Sequence, residues 1–156
     1  MKICSIVTLA VLAAMTLAGC GNSDISKVKA MKLDIDPSYT VGQALGTRKV
    51  CDDESWDTFT DSRGRNIVEY RCVIKGITDI VMPPPNPVTK IAELYQWTID
   101  AEGTPMMTFT GLENTRQDGT VFDQPFNPNA LERVAIQDTA VNLIAWNTQV
   151  VQHQND

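Results

Sequence analysis

Apolar residues follow three rhythms along this chain. The first is nearly unbroken: residues 3–17 are apolar except at Cys4, Ser5, Thr8 and Thr16. The second alternates. In residues 65–75, Val68, Tyr70, Cys72 and Ile74 fall on one side and Glu69, Arg71 and Lys75 on the other, the period of a strand with one buried face. Residues 55–60 make a similar run, and Asp61-Ser62-Arg63-Gly64 lies between the two. Turn residues and a glycine suited to positive φ should close these runs into a hairpin. Residues 88–100 alternate again, with Ile91, Tyr95, Trp97 and Ile99 on one face. In residues 104–114 strict alternation puts Met107, Phe109 and Gly111 on one face and Thr108, Thr110 and Leu112 on the other. Asp118-Gly119 predicts a second hairpin turn, with residues 120–126 as its returning strand. The third rhythm is helical. Leu131, Val134, Ala135, Val141, Ile144 and Ala145 recur at spacings of three and four, and Trp146 widens the stripe. That predicts a long C-terminal helix starting near Asn127 or Asn129, with Pro128 suited to its first position.

Between these segments the pattern is weaker. Residues 21–26 read as a polar tether. Residues 27–36 alternate through Val28, Ala30, Leu33 and Ile35, as a first strand or an ordered arm would, and Pro37 ends them. Thr40-Val41-Gly42-Gln43 has the spacing of a capping box, predicting a short helix over residues 41–49 that presents Val41, Ala44 and Leu45. Residues 76–82 extend the second strand or begin another. Pro83-Pro84-Pro85-Asn86-Pro87 is a stiff connector, unfit for a central strand because proline donates no ladder bond. The expected fold class is α+β: an antiparallel sheet of four to six strands, with a short N-terminal helix and a longer C-terminal helix packed on one face.

The leading apolar run is short for a membrane span, which takes about 20 residues. It comes after Met1-Lys2 and closes on Leu17-Ala18-Gly19-Cys20. Basic start, apolar centre and small residues before a cut form an export signal. Leucine, two small residues and cysteine resemble the lipobox of bacterial lipoproteins. The resemblance implies cleavage before Cys20, a diacylglyceryl group on its sulfur and an acyl chain on its amine. Two or three chains hold a protein on a bilayer where one alone is marginal. Gly21 comes directly after the cysteine; in families that sort lipoproteins, aspartate there favours the inner membrane, so the resemblance implies the periplasmic face of the outer membrane. The alternative is a secretory signal with a chance cysteine.

This division gives residues 1–19 as signal, 20–36 as lipidated cysteine and tether or arm, 37–150 as one periplasmic domain, and 151–156 as a polar tail. Without its leader the 156-residue chain keeps 137 residues, enough for a real core. The whole chain carries 13 basic and 19 acidic residues. An acidic protein has no electrostatic footprint for nucleic acid. Cys4 leaves with the leader and Cys20 is assigned to lipid, so Cys51 and Cys72 remain in a compartment that permits disulfides. They should pair, tying the short helix to the sheet; two free thiols or a metal pair are the alternatives. A zinc site is poorly supplied, since the single histidine, His153, sits in the tail.

No catalytic constellation stands out. A histidine in a fraying tail is a poor general base. Asp52, Asp53, Glu54, Asp57 and Asp61 gather around Trp56. They read as a solvated loop entering a strand, with a contact for a basic partner or a calcium site as the functional alternatives; the ligand spacing of an EF-hand is missing. Trp56, Trp97, Trp146 and Tyr70 read as core before they read as a ligand cleft. No cofactor is expected. Val41-Gly42-Gln43-Ala44-Leu45, Trp56 and Val68-Glu69-Tyr70 resemble a short domain of uncharacterised proteobacterial lipoproteins. The helix-then-hairpin order is similar to small lipoproteins of the outer-membrane assembly machinery, from which the long C-terminal helix departs. The expectation is a non-enzymatic envelope lipoprotein, held by Cys20 and touching an envelope protein through Asp52, Asp53 and Glu54 or the sheet face opposite the helices. The alternative is a periplasmic inhibitor or ligand-binding module for a basic partner.

Overall fold

The computed structural model describes residues 20–46, 48–76 and 87–139. The leader, the connector up to Asn86, the apolar positions from Val141 to Trp146, and His153 lie outside the described residues. The element order is α1 (Cys20–Ala30), α2 (Val41–Leu45), β1 (Cys51–Thr60), β2 (Asn66–Ile74), β3 (Val88–Ile99), β4 (Pro105–Arg116), β5 (Val121–Pro125) and α3 (Pro128–Gln137). The strands form one five-stranded sheet in sequence order, every neighbouring pair antiparallel. Among the described residues no helix is long and apolar enough to cross a membrane.

Alternation in β2 puts Val68, Tyr70, Cys72 and Ile74 into the core, where Ile91, Tyr95 and Trp97 of β3 and Leu112 of β4 meet them. Val28 of α1, Val41, Ala44 and Leu45 of α2, and Ala135 of α3 enter the same cluster. We call this side of the sheet inner and the other outer. An aromatic row crosses the inner side: Trp56 lies 5.0 Å from Tyr70 between ring centroids, and Tyr70 lies 5.9 Å from Tyr95. Tyr95 stacks on Trp97 at 6.2 Å.

Both hairpin turns form where the sequence places them. Asp61 accepts from the backbone N–H groups of Arg63 and Arg65, each at 2.9 Å, and Gly64 takes φ +77°. Gly119 takes φ +84° in the β4–β5 turn. The Thr40 hydroxyl accepts from the Gln43 N–H at 3.1 Å, and the Gln43 side chain accepts from the Thr40 N–H at 2.8 Å. That is the expected capping box.

Four expectations change. Residues 20–30 are helix rather than tether and strand. Ile25, Val28 and Met31 recur every third residue and all pack on the core, so the three-residue spacing wins over the alternation. Beyond the helix, the predicted strand is reduced to a single bridge between Lys32 and Thr40. The alternating faces of β4 also fail. Trp97 pairs with Met107 and Gln96 with Phe109, so Thr108 is an extra residue. This β-bulge returns Met107 and Leu112 to the same inner side. The disulfide bridges Cys51 and Cys72, with Cα atoms 5.3 Å apart. Because Cys51 begins β1, it joins two strands rather than a helix to the sheet. Finally, α3 stops at Gln137. Asn127 caps its start, accepting from the Asn129 N–H at 2.9 Å. Asp138 takes the left-handed conformation (φ 51°, ψ 45°), and its N–H bonds back to the Ala135 carbonyl. Aspartate tolerates that conformation better than most residues and ends a helix with it.

Candidate functional site

The outer side of the sheet collects charge from all five strands. Register places Asp57 of β1 opposite Glu69 of β2, and Glu69 opposite Gln96 of β3. Glu113 of β4 faces Ala92 of β3 on one side and Asp123 of β5 on the other. Asp53 pairs with Val73, next to Arg71 along the same side. Five carboxylates, Asp53, Asp57, Glu69, Glu113 and Asp123, therefore share the face with two cations among the described residues, Arg71 of β2 and Lys90 of β3, which lies opposite Thr115 and whose charge reaches Glu113. Asp53, Asp57 and Asp123 are exposed.

Two interactions order the centre. Arg71 forms an ion pair with Glu113, both side chains about a quarter exposed. The Gln96 amide donates to Glu69 at 2.7 Å. The hydrogen bond from Arg71 holds the Glu113 carboxyl below its ordinary range, against the effect of burial. Glu113, then the charges of Glu69 and Asp123, raise Arg71 despite burial. Arg71 and, more distantly, Lys90 thus answer five carboxylates, and the face stays negative. Phe109 adds an apolar element here. Its ring lies over Gly111, where an added Cβ would come to 2.6 Å from a ring carbon.

The sequence-chosen acids do not form one patch. They stand in β1, not in a loop. Asp52 is the extra residue of a bulge between Cys51 and Asp53. Asp53 joins the outer face. Glu54 pairs with Cys72 on the inner side and accepts from the Tyr70 hydroxyl at 3.3 Å. All three are exposed. Cys20 begins α1.

A second polar set, on the inner side, was not among the residues the sequence singled out. Arg48 and Glu93 form an ion pair with side chains 1% and 0% exposed. Arg48 also donates to the Thr139 carbonyl at 2.8 Å. Burial opposes the charge on Arg48, but the hydrogen bond and charge of Glu93 outweigh it and the pKa is raised. The Tyr70 and Tyr95 hydroxyls beside this pair are both pushed up, first by burial. Glu93 shares the odd-numbered phase of Ile91, Tyr95 and Trp97, so its inward direction was readable from the alternation.

Two adjoining hollows lie where the 31–35 segment meets β4 and α3. One, of about 270 Å³, is lined by Met31, Val41, Trp97, Met106, Met107 and Glu132 among others. The next, of about 390 Å³, shares Asp34 and Met107 and is walled by Phe109, Pro125 and Phe126. Glu132 is buried and accepts from the Ile35 N–H at 3.2 Å. Burial, with the charge of Asp34, raises its pKa over the lowering by that hydrogen bond. Among the described residues no group of three or more His, Cys, Asp or Glu side chains is arranged to hold a metal ion. No family model, curated protein or solved structure matches this chain.

Proposed function

We propose that this chain is a lipid-anchored envelope protein that works by contact rather than catalysis, with the outer face of its sheet docking a cationic surface of another envelope protein. In this reading the helices cover the inner side and leave the outer side to the partner. The observation that carries the contact is the convergence of Asp53, Asp57, Glu69, Glu113 and Asp123 on a face where only Arg71 and Lys90 oppose them among the described residues. Clustered like charge on a sheet face speeds association with an opposite charge and makes binding salt-dependent. It also discourages pairing with other sheets. The anchor rests on Leu17-Ala18-Gly19-Cys20. Acyl chains on Cys20 would place the protein on the periplasmic face of the outer membrane.

Two experiments test the parts separately. Cys20→Ala should end fatty-acid labelling and release the protein from membranes; undiminished retention counts against the anchor. Photocrosslinking in intact cells from Ser55 and Val121, which share the outer face with the acids, should capture one protein repeatedly, and neutralising Asp53, Asp57 and Asp123 to asparagine should abolish that capture. A partner caught equally well by the neutralised protein would refute the docking face. If the captured protein is a basic hydrolase whose activity falls on binding, the inhibitor reading replaces the structural one.

A further inference from the structure

We infer that the domain stands on the bilayer in a fixed orientation, with the β1–β2 turn and the β3–β4 turn against the lipid headgroups and the outer face of the sheet turned sideways. This rests on the anchored reading and adds to it the surface that meets the membrane. A polar tether after Cys20 would let the domain tumble freely. Instead, the residue assigned to lipid begins a helix that packs on the core through Ile25 and Val28.

Val28 is fully buried, and Ile25 and Met31 pack on the same cluster. Lys29 lies over the Trp56 ring at 4.8 Å. Asp24 lines a crevice of about 160 Å³ with Thr58, Phe59, Thr60, Asn66 and Ile99, all at the end of the sheet that bears the two turns. The Lys27 ammonium reaches the other turn, 2.9 Å from where a Cβ on Gly103 would sit. Cys20 is four residues before Asp24, about 6 Å along the helix axis. Its acyl chains must enter the bilayer there, so the turn-bearing end is carried to the headgroups.

What that end presents suits the boundary. Phe59 is 43% exposed. In the β1–β2 turn Arg65 pairs with Asp61 at 2.7 Å, and Arg63 is exposed beside them. Arginine stems and an aromatic ring settle readily at a membrane interface. The β4–β5 turn at Gly119 lies at the other end of β4, whose twelve residues span about 36 Å at 3.3 Å each. It therefore stays in water.

The test uses the full lipidated protein in phosphatidylcholine vesicles, with benzophenone-alanine replacing Phe59, Arg63, Gln117 or Thr120 in turn. Flotation on a density gradient reports the anchor, and mass spectrometry reports phospholipid adducts. The expected result is adducts from positions 59 and 63, several-fold above those from 117 and 120. A second variant inserts eight glycine and serine residues after Asn22; it should float equally well and lose that contrast. Protein that floats with equal adducts at all four positions, or keeps its contrast with the insertion, overturns the fixed orientation alone. Protein that fails to float overturns the anchor and the orientation together.

Discussion

Two arginine–glutamate pairs sit on opposite sides of one sheet. Arg48–Glu93 is sealed in the core, and Arg71–Glu113 lies on the outer face about a quarter exposed. Glu93 stands opposite Cys72, the residue after Arg71, so the two pairs are separated by little more than the thickness of the sheet. The chemistry is the same and the surroundings differ. Removing two charges from water costs several kcal/mol per ion, which attraction repays only with good geometry. Partial hydration makes the outer pair weak, about 1 kcal/mol or less. The inner pair fixes how the chain around Arg48 and Thr139 meets β3. The outer pair leaves most of its neighbours' negative charge unanswered, and that charge is what the proposed docking would use.

The largest expected effect comes from breaking the inner pair on one side. Arg48→Met strands the Glu93 carboxylate and should destabilise the fold by about 3–5 kcal/mol, measured by urea unfolding. Replacing both partners, Arg48→Met with Glu93→Leu, should recover most of that loss. The matching outer change, Arg71→Met, should cost about 1 kcal/mol or less. Equal losses on the two sides would erase the distinction.

Next comes the disulfide. Cys51→Ser with Cys72→Ser should cost about 3 kcal/mol in the chain-entropy model, seen as a lower melting temperature. A shift between reducing and non-reducing gels reports the bridge directly. Smaller again is the cap of α2: Thr40→Ala should cost about 1 kcal/mol in the same unfolding assay, because the Gln43 N–H loses its acceptor.

The pH dependence should also separate two carboxyls. Glu113 has a lowered native pKa, so its stabilising contribution is complete above the ordinary carboxyl range and fades as pH falls through the native value. Glu132 has a raised native pKa, so its ionisation subtracts stability as pH rises from the ordinary carboxyl value through the native one. Glu132→Gln keeps an acceptor for Ile35 and should remove that decline, whereas Glu113→Gln should remove the acid-side loss. Unfolding midpoints measured from acid to neutral pH check both, and unchanged profiles would contradict the assignments.

Much of this contrast could be read from residue order. Alternation fixed which side Val68, Tyr70, Cys72, Glu69 and Arg71 occupy, and the turns at Gly64 and Gly119 fell where their residues demand. The pairing of Cys51 with Cys72 came from the count of cysteines and the inward phase of Cys72. What escaped depends on register between strands. One extra residue at Thr108 moves Leu112 to the inner side, and nothing local announces it. Glu113 and Asp123 join Asp57 and Glu69 only after all five strands pair in order. The acids nearest in sequence, Asp53 and Glu54, part to opposite sides because neighbouring residues in a strand must. The helix over residues 20–30 hid behind the alternation of Val28 and Ala30 with Lys27 and Lys29, while Ile25, Val28 and Met31 keep the three-residue spacing.

The central claim is that the outer face is kept for binding and adds little to the fold. Its most direct test is the triple variant Asp53→Asn, Asp57→Asn, Asp123→Asn, assayed by unfolding and by crosslinking in cells. An unchanged or slightly raised melting temperature, with salt-sensitive crosslinks lost, is the predicted result. A marked fall in melting temperature, or crosslinks that persist undiminished, would contradict it.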